Sequence, residues 1–234
     1  MSKVACFLFA LAIISTAVRA EFVAPTQGSP VIFLGNSGSS IQTDTPTAST
    51  TTPNSPNPYE GLIPKLASKV GELSTEQTDS AKAIIGELHS QLTAANQPAN
   101  VNLAAYLLAS AYNDASLKPI EEQLKSDKTT IQAKYFKYGY QGRGFVHFTG
   151  AFNYNRFSRD LKIDFARNPA LLLEKTNAAK VLVHGAVNGK FTGSKITNFI
   201  KSTGTPDFTN ARKAINGDID ASSISKLASS LVAA

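Results

Sequence analysis

Beyond Glu60 the apolar residues recur at three- and four-residue steps, the spacing that puts them on one face of a helix. The clearest stretch holds Ala81, Ile84, Ile85, Leu88 and Leu92 and opens with Ser74 followed three residues later by Gln77. A serine and a glutamine so spaced can each bond the other's backbone N–H, so a helix is predicted over 75–92. A second predicted helix carries Leu103, Tyr106, Leu107, Ser110 and Ala111. Asn102 is its expected cap, and it ends before Pro119, which has no N–H to continue the ladder. Glycines then cluster in KYGYQGRGFVHFTG (137–150), which reads as a turn, a short extended piece and a helix start. Asn168-Pro169 reads as a helix opening, and 176–188 as an apolar helix stopped by Gly189. Shorter helices are expected over 195–201, 207–215 and 221–232. The predicted fold class is mainly α, with no internal repeat.

Ahead of Glu60 the pattern is different. Lys3 precedes an apolar stretch of about a dozen residues that closes on small residues at Val18 and Ala20, the layout of a secretory signal peptide over 1–20. The stretch is shorter than the roughly 20 apolar residues a bilayer span requires, so no membrane association is expected after cleavage. From Gly35 to Pro58 the chain is dominated by Ser, Thr, Pro, Gly and Asn, too poor in apolar surface to offset ordering entropy. Residues 21–60 are therefore expected to be a disordered Ser/Thr/Pro-rich linker, with 61–234 as the folded domain. Val31 to Leu34 is an apolar island that reads equally as a short strand or as nothing.

Composition narrows the function classes. Cys6, the only cysteine, lies inside the predicted signal peptide, so the mature chain folds without disulfides. The three histidines have no metal-ligand spacing, and neither metal nor cofactor is expected. The sequence holds 23 Lys and Arg against 17 Asp and Glu, and beyond residue 60 the balance is 21 against 14. These bases are spread along the chain and form no run of five or six, which argues against nucleic acid and for an anionic polysaccharide surface. A secreted, extracellular monomer is the expectation.

Familiar nucleotide and hydrolase motifs are missing. Gly142-Arg143-Gly144 is not followed by the Lys-Ser/Thr of a phosphate loop, and no Gly-x-Ser-x-Gly elbow occurs. The remaining chemistry lies in carboxylates at a helix end: Asp114 closes AYLLASAYND, and Glu121 and Glu122 follow Pro119. Read from spacing alone, acids in such a loop are solvated by default.

The stretch AYLLASAYNDASLKPIEE is similar to one in the catalytic domain of glycoside hydrolase family 19, the chitinases and related phage cell-wall lysins. There an alanine-rich helix runs into His-Glu-Thr and then a Pro-hydrophobic-x-Glu segment. The resemblance continues, in order and spacing, through GRGFVHFTGAFNYNRF, NPALL, GKFTG and DFTNARKAING, covering about 73–224. It implies a lysozyme-like helical body with a substrate cleft, and inverting cleavage of β-1,4-linked N-acetylglucosamine polymers such as chitin or peptidoglycan-type glycans. By the same resemblance Asp114 is the catalytic acid and Glu122 the base. Thr149 and Asn153 match positions that hold water and substrate, and Asn216 matches a cleft asparagine that contacts sugar.

This chain departs from the family pattern where the chemistry sits. The family's His-Glu is Asn113-Asp114, and its Gln after Gly-Arg-Gly-x-x is His147, both on the substrate side of the implied cleft. Aspartate keeps the acid but reaches one methylene less, and misplacing a catalytic group by about 1 Å costs on the order of a hundredfold in rate. His147 reads equally as a half-buried histidine bonded to backbone. Tyr138 and Tyr140 read as cleft or core residues, Phe145 and Tyr154 as core, and Arg143 as architecture. Two functions follow: a secreted glycoside hydrolase, or a catalytically impaired relative that binds glycans as a defence or effector protein.

Overall fold

The computed structural model describes residues 58–123 and 130–233. The predicted signal peptide, the Val31–Leu34 island and the linker up to residue 57 lie outside the described residues. The described chain is mainly helical, as its periodicity predicts. Eight helices are α1 (Leu62–Val70), α2 (Thr75–Ala94), α3 (Val101–Ala115), α4 (Thr130–Lys137), α5 (Ala151–Leu161), α6 (Lys175–Val187), α7 (Phe208–Ala211) and α8 (Ala221–Val232). Two dipeptide strands, β1 (Ile120–Glu121) and β2 (Arg143–Gly144), pair antiparallel with Ile120 opposite Gly144 and Glu121 opposite Arg143.

Helix α2 begins where the Ser74/Gln77 pattern places it. The Gln77 amide N–H donates to Ser74 Oγ (3.3 Å) and the Ser74 N–H to Gln77 Oε1 (2.9 Å), so two otherwise orphaned donors are satisfied reciprocally. Its apolar face, Ala81, Ile84, Ile85, Leu88 and Leu92, is buried against α6. Helix α3 is capped by Asn100 rather than Asn102. Asn100 has extended backbone, and its Oδ1 accepts from the Leu103 N–H at 2.9 Å, whereas Asn102 already lies in the first turn. Every residue from Leu103 to Ala111 is buried, as expected for a helix surrounded by others. Helices α2 and α8 lie against it, and Phe208 of α7 stacks on Tyr106 with ring centroids 5.8 Å apart.

Helix α3 stops before proline acts on it. Ser116 and Leu117 both take left-handed φ (50° and 56°), and their N–H groups donate back to Tyr112 and Ala111 (2.8 and 3.1 Å). The Ser116 bond closes the helix end in the αL-cap pattern, without glycine. Two other expectations are shortened. The 195–201 segment is a single 3-10 turn at Ile196–Asn198, because Ile196 and Ile200, both fully buried, imitate a helical face with one spacing of four. The 207–215 segment is one turn of α7 continued by a 3-10 turn at Arg212–Ala214. Likewise Asn168-Pro169 opens a 3-10 turn, Pro169–Leu173.

The core has two parts. The larger gathers α1, α2, α3, α6 and α8, and extends back to Tyr59, which is 2% exposed and whose hydroxyl accepts from the Asn100 N–H at 3.3 Å. The smaller collects Phe148, Tyr154, Phe157, Phe165, Leu172 and Val181 around α5, and Phe191 packs on both. Helices α1 and α8 lie side by side, and Lys65 Nζ donates to the Ala233 carbonyl at 2.9 Å.

Candidate functional site

The last turn of α3 carries Asn113 and Asp114. Because α3 is fixed by burial on all sides, Asp114 is delivered rigidly to its end. Its carboxylate meets Arg212, 98 positions along the chain: Nη1 donates to Oδ2 and Nη2 to Oδ1, both at 2.9 Å. This is a two-pronged guanidinium–carboxylate pair, the geometry that favours arginine over lysine. It is also dry, with side-chain exposures of 1% for Arg212 and 8% for Asp114. Arg212 Nε donates to the Ile219 carbonyl (2.9 Å). Asn113 Nδ2 donates to Asp114 Oδ1 (3.1 Å) and to Oδ2 of Asp220 (3.3 Å), the residue that starts α8 in a left-handed conformation. Asn216 is half-buried, and its backbone N–H donates to the Arg212 carbonyl at 2.8 Å.

Glu122 follows β1. Side chains of adjacent strand residues point to opposite faces, and here they divide the work between Glu121 and Glu122. Glu121 is absorbed by structure: Oε2 accepts from Arg143 Nε at 2.6 Å and Oε1 from Gln141 Nε2 at 2.8 Å. Arg143, 7% exposed, also donates to the Gly139 carbonyl (2.9 Å) and to Tyr154 Oη (3.1 Å), the architectural role its surroundings of glycine suggested. Burial, set against the Arg143 charge, pushes the Tyr154 phenol up to about 12. Tyr154 and Phe145 are core residues, at 0% and 1% exposure, whereas Tyr138 stands 65% exposed.

Glu122 turns instead toward Gly142. The Glu122 N–H donates to the Gly142 carbonyl (2.8 Å), and the Gly142 N–H to Glu122 Oε2 (3.3 Å). A Cβ on Gly142 would sit 2.9 Å from that oxygen and 2.9 Å from the His147 Cβ, so only glycine allows the three residues to approach this closely. His147 has a left-handed φ of 51°, uncommon outside glycine and costing on the order of 1–2 kcal/mol. Its imidazole pKa is lowered, first by burial, then by Arg212; the charges of Asp114 and Glu122 oppose the shift. Asp114, Glu122, Arg212 and His147 therefore share one electrostatic neighbourhood.

Thr149 and Asn153 are chained to it through backbone. Thr149 Oγ1 donates to the His147 carbonyl (2.6 Å), which leaves its lone pairs as acceptors. Asn153 Nδ2 donates to the Thr149 carbonyl (2.8 Å), and its Oδ1 accepts from Arg156 (3.0 Å). The structure thus holds Asn113 with Asp114 and Arg212, and Glu122 with Gly142 beside His147, which feels the charges of both sets; hydrogen bonds tie Thr149 to His147 and Asn153 to Thr149, and Asn216 bonds through its backbone to Arg212. Sequence reasoning missed Arg212 and Gly142. Arg212 is one base in an ordinary helical pattern, with no spacing to mark it; Gly142 lies in a glycine cluster whose crowding is visible only in three dimensions. Among the described residues no group of three or more His, Cys, Asp or Glu is placed to hold a metal ion, and no helix is long and apolar enough to cross a membrane.

Comparison with models of known protein families and with curated proteins returns no match for this chain.

Proposed function

We propose that the chain is a secreted glycoside hydrolase of family 19 type, with a lysozyme-like body and cleft. In this reading it cleaves β-1,4-linked N-acetylglucosamine polymers of chitin or peptidoglycan type with inversion, as a monomer. Residues 1–20 would export it and 21–60 would tether the catalytic domain. The observation that carries the reading is His147, a half-buried residue in strained backbone whose imidazole feels the charges of both Asp114 and Glu122. Backbone outliers of this kind concentrate at functional sites. An inverting enzyme needs an acid to protonate the leaving oxygen and a base to activate water, with the carboxyls roughly 6.5–9.5 Å apart. Asp114 takes the first role and Glu122 the second.

One observation favours a second reading. Both Asp114 oxygens accept bonds from Arg212, and Oδ1 also accepts from Asn113, so the acid is committed to a buried ion pair. A chain whose acid stays so engaged is a glycan-binding protein, not a hydrolase. The two separate on N-acetylglucosamine hexamer, followed by chromatography of products and by the anomeric configuration in NMR. The hydrolase cleaves the hexamer to α-anomers, and Glu122→Gln lowers the rate by roughly a hundredfold to ten-thousandfold. Saturable hexamer binding with no cleavage by wild type supports the binding protein. Equal, measurable rates in wild type and Glu122→Gln would sink the assignment of the base.

A further inference from the structure

On the smaller core, away from Asp114 and Glu122 in its lining, the surface holds a depression of about 600 Å³. It is a shallow hollow, open to solvent over most of its face, rather than an enclosed small-ligand cavity. Its rim carries three cations, Arg159, Lys162 and Arg167, against one acid, Asp164. Among the described residues neither Arg159 nor Lys162 has a carboxylate within ion-pair distance. Asp164 is largely spent on its own turn: Oδ1 accepts from the Arg167 N–H at 3.1 Å, and Oδ2 lies 3.7 Å from Arg167 Nη1.

Cations at the end of α5 have an ordinary explanation, because they complement the helix dipole. Arg167 does not fit it. It lies beyond the helix and is brought to the same rim by a pinned turn: the Ala166 N–H donates to Ser158 Oγ (3.0 Å), Tyr140 Oη donates to the Ala166 carbonyl (3.1 Å), and Phe165 is fully buried beneath. The Tyr140 ring, held edge-on to Tyr154 with centroids 5.2 Å apart, forms a fixed wall. Three basic side chains are thus hung on rigid backbone around a hollow large enough for one sugar.

We propose that this depression binds an anionic group on a polysaccharide, with Arg159, Lys162 and Arg167 closing on a sulfate, phosphate or carboxylate oxygen set. It would act as a charged anchoring site separate from the glycan cleft, and does not depend on the hydrolase reading. Three fluorescently labelled probes distinguish the group: a heparin hexasaccharide for sulfate, an oligogalacturonate for carboxylate and a ribitol-phosphate teichoic acid fragment for phosphate. Binding is followed by anisotropy at low salt. At least one probe should bind, and the combined Arg159→Gln, Lys162→Gln, Arg167→Gln variant should bind it roughly tenfold or more weakly, because bonds to charged groups are being removed. A control losing the same charge elsewhere, Lys69→Gln, Lys201→Gln, Lys226→Gln, should stay near wild type. Thermal unfolding checks that both variants are folded, and Glu122→Gln should bind the probe as wild type does. Binding of none of the probes, or equal loss in both triple variants, would overturn the site. Tighter binding of single-stranded DNA through the same three residues would overturn its assignment to polysaccharide.

Discussion

Asp114 and Arg212 form the interaction on which the candidate site rests most heavily, and the energetics of such pairs are lopsided. Removing one partner strands a buried charge and costs about 3–5 kcal/mol, whereas replacing both by apolar side chains of similar size is often neutral. Arg212→Met is therefore expected to lower stability to urea by about that amount, and Asp114→Leu/Arg212→Met to recover most of it. A double variant no more stable than Arg212→Met would mean that the guanidinium's bond to the Ile219 carbonyl, not the pair, holds this corner. His147 makes a prediction in pH. Burial depresses its pKa below the unfolded value of about 6.5, so its contribution is present above that value. It is lost as the pH falls toward the folded pKa, because the unfolded chain takes up a proton the folded one resists. The drop in melting temperature between pH 7.5 and 5.0 should shrink in His147→Asn, which removes the titrating ring while tolerating a left-handed backbone. At this scale the sequence was partly readable. Asp114, Glu122 and His147 sit beside residues that mark them, but nothing near Arg212 says that it will close on an aspartate 98 positions away, since that contact is made by tertiary packing.

Among the elements, those with long amphipathic faces and chemically explicit ends were legible. The α2 boundary followed from Ser74 and Gln77, and α8 from its apolar period alone. Legibility failed where periodicity was too short to be tested, as at Ile196 and Ile200, and where two side chains of the same type competed for one task, as Asn100 and Asn102 did. The winner there is the residue whose extended backbone aims its side chain back at the helix. Asn100 also donates through Nδ2 to the Ile200 carbonyl at 3.3 Å, tying a helix start to a loop a hundred positions later. Caps are worth about 1 kcal/mol, with a range of about 0.5–2. Ser74→Ala should cost about that, read as a lower urea midpoint with an unchanged slope. Asn100→Ala should cost measurably more, because it leaves both the Leu103 amide and the Ile200 carbonyl without their partner in a buried place. Equal losses would mean that the second bond contributes nothing.

For the whole molecule, the mainly α class followed from periodicity, while the division of its interior into two cores did not. That division depends on Phe148, Tyr154, Phe157 and Phe165 clustering around α5, and the sequence spacing of these residues says that they can be buried without saying in which of two clusters. The side-by-side packing of α1 and α8 has a further consequence. Because the Lys65 ammonium reaches the Ala233 carbonyl, the end of α8 lies within a side chain's length of the first helix, and the described fold is nearly a closed ring cut at one place. Where the cut lies should matter little to the finished fold. A circular permutant that joins residue 233 to residue 58 by a short Gly/Ser linker, and opens the chain in the exposed loop at 202–204, should fold to the same helical content with a melting temperature within a few degrees of the parent. It should refold at a different rate, because α1 and α8, which in the native order must find each other across the whole domain, would become neighbours in sequence.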